Sequence, residues 1–93
     1  MRKRAYRGFR LPLAARRRGR RGVYLWGLVR PAHGRTRVTI EYRNRHSRKW
    51  RRLKSDVTNR RGYWSTTTRQ RAGRRYRVRW GRHLGAPTRV YPR

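Results

Sequence analysis

The amino-acid sequence predicts an all-β protein, a small antiparallel β-sandwich of about six or seven strands with a basic N-terminal arm. Strand-like runs of alternating apolar residues recur between turn residues at the spacing of a sandwich. None of these runs has the apolar i, i+3, i+4, i+7 stripe of a helix, and β-branched and aromatic residues dominate them. A small β-barrel of similar length is the alternative, and strand order would distinguish the two.

Residues 1–22 are predicted to form the basic arm, and residues 23–93 the sandwich. The arm carries ten of the 31 arginine and lysine residues and has no sustained apolar period. Phe9, Leu11 and Leu13 alternate as in an extended segment, which would pack them on the domain. The run from Arg16 to Arg21, which contains Gly19, is expected to be the most flexible part.

The first two runs of the sandwich show the clearest alternation. Residues 23–29 form the first run, where Gly27 lies in the inward row and leaves room for a bulky neighbour. Residues 36–43 form the second run and alternate apolar with polar residues throughout. The inward residues predicted for these two strands are Val23, Leu25, Val29, Val38, Ile40 and Tyr42.

The third run carries Trp50, Leu53 and Val57, and its broken alternation predicts a β-bulge. Residues 63–68 and 76–80 form the fourth and fifth runs, one rich in β-branched residues and the other alternating.

A final short run, residues 88–91, lies between two prolines and is expected to be an edge strand or an extended tail. The aromatic residues predicted for the core are Trp50, Trp64, Tyr76 and Trp80.

The charge is very one-sided, because 31 basic residues face only two acidic ones and the formal net charge is +29. Such a surface repels itself and attracts polyanions. The chain also contains eleven aromatic residues, which is more than a solvated basic tail normally carries and indicates a packed core. We therefore expect the charge to decorate a folded domain.

Catalysis is poorly supported by the sequence. Its two carboxylates, Glu41 and Asp56, are expected to form salt bridges with nearby arginines, so no general acid and base can be assigned. His33, His46 and His83 lie in three different connections without metal-ligand spacing, and the chain has no cysteine. We expect no catalytic residue, no metal and no cofactor.

Rows of arginine on the strands indicate a surface for polyanions, with sequence-independent and salt-dependent binding. Exposed rings between basic residues would allow bases to stack, as in single-strand binders. Tyr24, Trp26 and Tyr63 are the candidate stacking or interface residues. The alternative for Tyr24 and Trp26 is packing under the arm or on a neighbouring subunit. The predicted polyanion-binding residues are Arg16, Arg17, Arg18, Arg20, Arg21, Arg35, Arg37, Arg51, Arg52, Arg75, Arg77 and Arg79.

Four segments, Val23–Tyr42, Lys49–Leu53, Thr58–Ser65 and Ala72–Trp80, carry a resemblance to a known family. Their order resembles the immunoglobulin-like or fibronectin type III-like β-sandwich domains appended to secreted actinobacterial glycoside hydrolases. The resemblance implies a secreted or cell-surface accessory domain without catalytic residues, which acts as a spacer or contacts wall or polysaccharide.

Two further features belong to this resemblance. Residues 5–13 resemble the last piece of a glycoside hydrolase catalytic domain, and Tyr76 lies where these domains place a tyrosine corner, whose hydroxyl bonds back to the chain. The density of arginine departs from the family and makes a plain spacer role less suitable.

The function predicted from the sequence is a non-enzymatic module that binds an anionic polymer. Nucleic acid is the first choice, and acidic polysaccharide or wall polymer is the second. The alternative is an accessory domain that forms homo-oligomers through edge strands and exposed aromatic residues. No signal peptide and no membrane span are expected, since the sequence has no long apolar window.

Overall fold

A computed structural model describes residues 11–30 and 34–90 of the chain. These residues form β-strands and no helix, so the all-β prediction is confirmed and no helix among them could cross a membrane. The strands are β1 (Leu13–Arg18), β2 (Gly22–Leu28), β3 (Arg37–Arg43), β4 (Arg51–Val57), β5 (Tyr63–Arg69), β6 (Arg75–Trp80), β7 (His83–Leu84) and β8 (Thr88–Arg89).

The strands form two antiparallel sheets. One has the order β1-β2-β5, and the other has the order β4-β3-β6-β7, with β8 also pairing with β6. The described strands therefore build a small β-sandwich and not the single closed sheet of the barrel alternative. The last predicted run is a short edge strand, as expected, and Tyr91 lies outside the described residues.

The core lies between the two sheets and contains the inward residues that alternation predicts. Leu25 of β2 and Ile40 of β3 are fully buried, each worth about 1.5–3 kcal/mol of apolar burial. Tyr42 and Trp80 are partly buried and pack against this core. The buried hydrophobic residues are Leu11, Ala15, Val23, Leu25, Val29, Val38, Ile40, Trp64, Tyr76 and Val78.

Gly27 makes room for a large ring, as its position in the inward row predicts. Its neighbour across the sheet is Trp64 on β5. A Cβ atom at Gly27 would lie 2.5 Å from the carbonyl oxygen of Pro12 and 2.8 Å from Cζ2 of Trp64. The absence of a side chain therefore lets both groups close over β2.

The structure differs from the predicted division at residue 22. Leu13–Arg18 form β1, which pairs with β2 from Leu13↔Gly27 to Arg18↔Gly22, and Ala15 is buried in the core. Arg16, Arg17 and Arg18, which were expected in a flexible run, therefore lie in a strand, because backbone pairing does not depend on the side chain. Gly19, with φ of 68°, and the following two residues form the turn after this strand. Residues 1–10, including Phe9, lie outside the described residues.

The β-bulge predicted in the third run is present at Leu53. Ile40 pairs with Lys54 and Glu41 pairs with Arg52, so Leu53 has no partner in the register. Leu53 still packs against the core. The extra residue shifts the alternation of side chains along β4. Val57 therefore lies opposite the outward Arg37 and is 45% exposed, whereas inward strand residues are buried.

Tyr76 is fully buried on β6, as predicted, but its hydroxyl makes no hydrogen bond to the backbone of any described residue. The bond back to the chain that a tyrosine corner requires is therefore not seen in this part of the chain. Burial raises the pKa of Tyr76, and the nearby Arg74 guanidinium opposes this effect in part.

Candidate polyanion-binding site

The outer side of the sheet that contains β3 and β6 is covered by arginine side chains. Arg43, Arg75 and Arg89 form one cross-strand row, because Arg75 pairs with Arg43 on β3 and with Arg89 on β8. We call this surface the arginine face. Its residues are Arg37, Arg43, Arg52, Arg75, Arg77, Arg79 and Arg89.

Glu41 is the acidic residue of the arginine face. Its Oε1 accepts a hydrogen bond from Nε of Arg77 at 2.7 Å, and its Oε2 lies 3.4 Å from Nη2 of Arg79. Glu41 is only 6% exposed, so these charges interact in a partly dry environment. The salt bridge predicted for Glu41 is confirmed, and one carboxylate remains for seven guanidinium groups.

Trp50 lies beneath arginines of this face and is not a core residue, so that prediction is wrong. The Cζ atoms of Arg43 and Arg77 lie 5.2 Å and 4.2 Å from the centre of its ring. Cation–π attraction and the apolar stems of arginine can cover an indole ring outside the core. The ring also holds two of the guanidinium groups at defined positions.

The cross-strand rows of the arginine face place like charges next to each other. Directly opposed residues of equal charge destabilise a sheet, and Arg43, Arg75 and Arg89 are opposed in this way. A bound anion would relieve this repulsion. The face is therefore chemically suited to polyanions.

The outer side of the other sheet carries the predicted stacking residues. The rings of Tyr24 and Trp26 are stacked with centroids 5.5 Å apart and planes inclined by 23°. Arg18 and Arg16 of β1 lie over them, with Cζ atoms 5.9 Å and 5.7 Å from the Tyr24 and Trp26 centres. Tyr63 of β5 is 47% exposed. We call Arg16, Arg18, Tyr24, Trp26 and Tyr63 the aromatic face.

The aromatic face borders a shallow depression of about 570 Å³ that also touches Arg35 and Asp56. Tyr24, Trp26 and Tyr63 lie on the outer side of the sheet, as alternation predicts. Tyr24 and Trp26 are half-buried under arginines of the predicted arm, which agrees with the alternative of packing under the arm. The two faces belong to different sheets and lie on opposite sides of the sandwich. The fold therefore does not bring the predicted rings and arginine rows into one surface.

The remaining predicted residues lie elsewhere. Arg51 is exposed opposite Tyr42, in the other phase from Arg52. Arg17 turns away from Arg16 and Arg18, and its Nη2 donates to the carbonyl oxygen of Arg20 at 3.3 Å. Arg20 and Arg21 lie in the turn between β1 and β2.

Sequence reasoning missed several basic residues near these surfaces. Arg43 continues the outward row of β3, so alternation could have identified it. The Cζ atom of Arg74 lies 4.1 Å from the centre of the Tyr42 ring. The Nε atom of Arg74 donates a hydrogen bond to Oδ1 of Asn44 at 2.9 Å. These partners are distant in the chain, and no local pattern connects them.

The two carboxylates have separate structural roles. Glu41 is engaged by arginines, whereas Oδ1 of Asp56 accepts a hydrogen bond from its neighbour Val57 N at 2.8 Å. The salt bridge expected for Asp56 is not found among the described residues. No group of three His, Cys, Asp or Glu residues that could hold a metal occurs in residues 11–30 and 34–90, and His33 lies outside them.

Comparisons of the chain with protein-family models, with curated proteins and with solved structures gave no match.

Proposed function

We propose that the protein is a non-enzymatic module that binds anionic polymers, with nucleic acid preferred, through the arginine face. The observation that carries this proposal is the presence of seven arginines from β3, β4, β6 and β8 on one face that has a single carboxylate, Glu41. Their mutual repulsion leaves the face with a strong preference for negative ligands.

The side-chain type and spacing favour phosphate. The arginine guanidinium donates two parallel hydrogen bonds to a phosphate group, which a lysine ammonium cannot do. Arg75, Arg77 and Arg79 alternate on one strand and are spaced at about 7 Å, twice the axial rise of about 3.4 Å per phosphate in one nucleic-acid strand. Contacts of this kind position a backbone and read no sequence.

The strand order supports a proposal about the family. The sheets β1-β2-β5 and β4-β3-β6-β7 correspond to the orders A-B-E and C′-C-F-G of an immunoglobulin-like or fibronectin type III-like sandwich. The Tyr76 hydroxyl lacks a backbone hydrogen bond among the described residues and in this respect departs from that family. In this setting the polymer would include acidic polysaccharide or wall polymer at a cell surface.

A second candidate function is self-association in an accessory domain. The exposed Tyr63 beside the stacked Tyr24 and Trp26 favours it, because exposed rings often mark interfaces. Homo-oligomers would then form through the aromatic face, and the arginine face would remain open to solvent.

The first experiment measures the affinity for duplex DNA, single-stranded DNA and polyglutamate across a salt series. For duplex DNA, the triple variant Arg37→Gln, Arg43→Gln, Arg79→Gln should bind more weakly, with the slope of log K against log salt reduced by about 2 to 3. The matched control is Arg60→Gln, Arg61→Gln, Arg82→Gln, which removes the same charge from exposed turn positions.

Equal losses in the two triple variants would show that net charge alone attracts the polymer and would contradict the proposal. Absence of binding to all polymers at physiological salt would favour self-association. Tyr24→Ala and Trp26→Ala test the stacking role separately. If bases stack on these rings, loss of each ring should weaken single-strand binding by about 1–3 kcal/mol and leave duplex affinity unchanged.

A further inference from the structure

A cleft lined by arginines lies at one end of the sandwich, apart from the middle of the arginine face. Its volume is about 430 Å³, and it is formed by the end of β1, the connections after β3 and β5, and β8. None of its lining residues is acidic. Six arginines line it: Arg17, Arg45, Arg71, Arg74, Arg75 and Arg89.

Two of these arginines are held in place by neighbours. Arg74 lies against the ring of Tyr42 and donates to Asn44, which fixes its guanidinium before any ligand arrives. The side chain of Arg45 passes over Gly73, and a Cβ atom there would come within 2.8 Å of it. Gly73 also has a φ of 72°, so both its conformation and its missing side chain suit this packing.

Gln70 provides a second kind of polar group in the cleft. Its Oε1 is buried and has no hydrogen-bond partner among the described residues. The cleft is partly enclosed, so electrostatic attraction between its guanidinium groups and an anion is stronger than on an open face.

We propose that this cleft binds a compact ligand with several phosphate charges, an oligophosphate that is either free or at the end of a nucleic-acid strand. A ligand of this class neutralises several guanidinium groups at once and fits a space of this volume. The proposal goes beyond polymer binding at the arginine face, although Arg75 and Arg89 belong to both sites. It therefore has to be tested with residues that belong to only one of them.

Calorimetric titration with sodium tripolyphosphate at physiological ionic strength tests the charge requirement. The wild-type chain should bind one tripolyphosphate saturably, and Arg45→Gln with Arg71→Gln should weaken binding about tenfold for each arginine removed. The control Arg37→Gln with Arg79→Gln removes the same charge from the arginine face and should leave this affinity within about threefold.

A variant without a charge change tests the geometry of the cleft. Gly73→Ala should displace Arg45 and weaken tripolyphosphate binding severalfold, whereas the slope for duplex DNA stays unchanged. Gly81→Ala is the matched control, because Gly81 also has a positive φ and a Cβ atom there meets no atom within 4 Å. Circular dichroism of both variants confirms that each is folded.

The source of the phosphate is distinguished with an oligonucleotide that carries or lacks a 5′-triphosphate. Tighter binding of the phosphorylated form, lost in Arg45→Gln with Arg71→Gln, assigns the cleft to strand ends. Tripolyphosphate binding without this difference assigns it to free oligophosphate. Equal losses in the cleft and control pairs, or no saturable binding of either probe, would overturn the proposal even if the arginine face binds polymers.

Discussion

Glu41 has a larger role than a single surface acid usually has. It is almost fully buried on the arginine face and interacts with both Arg77 and Arg79. Without it, these two guanidinium groups would face each other beside Arg75 with no negative charge between them. The residue thus reduces the repulsion between arginines that lie side by side on the sheet.

Replacing Glu41 by Gln should lower the free energy of unfolding by about 1–3 kcal/mol, because a buried charge partner is lost while the arginines remain. Urea denaturation at low and high salt measures the effect, which should shrink as salt screens the arginines. The control Asp56→Asn removes the same charge and keeps an oxygen that can accept from Val57 N. An equal loss in both variants would contradict a special role for Glu41.

At the scale of single residues, prediction from the sequence succeeded where side-chain phase alone decides burial. Val38, Ile40 and Val78 lie inward because a strand alternates. Trp50 was misplaced because an indole ring can be covered by arginine stems as well as by a core, and hydrophobicity does not distinguish these environments. The contacts of Arg74 with Tyr42 and Asn44 could not be predicted from the sequence, because they join segments that are distant in the chain.

At the scale of elements, β1 is the main addition to the predicted fold. Its apolar residues are few, and three successive arginines end it, so its sequence resembles a solvated tail. Pairing with β2 is provided by the backbone, which sequence periodicity does not report. The bulge in β4 was predicted from the Trp50 to Leu53 spacing, but the phase change that it imposes on Val57 was not.

The neighbouring residues Ala15 and Ala14 test whether β1 is part of the sandwich. Ala15 is 1% exposed and faces the core, while Ala14 lies on the outer side opposite Trp26. Ala15→Gln should cost about 2–4 kcal/mol of unfolding free energy through overpacking and an unpaired amide. Ala14→Gln should cost less than about 1 kcal/mol. Small and equal effects in urea denaturation would instead indicate a detached arm.

At the scale of the whole molecule, the sandwich separates two kinds of surface. Guanidinium groups dominate the outer side of one sheet, and the other outer side combines rings with arginines. A short ligand cannot contact both sides at once, because two packed sheets about 10 Å apart lie between them. If the proposed polymer binds the arginine face, the aromatic face therefore remains open to a different partner.

The net charge of +29 should make stability depend strongly on salt. Raising sodium chloride from about 0.05 M to about 0.5 M should increase the unfolding free energy in urea by about 1–2 kcal/mol, because screening weakens repulsion between arginines. An equal osmolality of sucrose controls for solvent exclusion by the added solute. A stability that falls or stays constant with salt would show that the arginines are already compensated within the fold.

The bulge at Leu53 also affects how copies of the chain meet. β4 is the outer strand of its sheet, and such an edge can template the addition of a strand from another molecule. An unpaired residue in its middle interrupts the regular ladder, and Arg51, Arg52 and Lys54 along it repel a second strand of the same sequence. This irregularity, together with the basic side chains, protects an otherwise open edge against aggregation at high protein concentration.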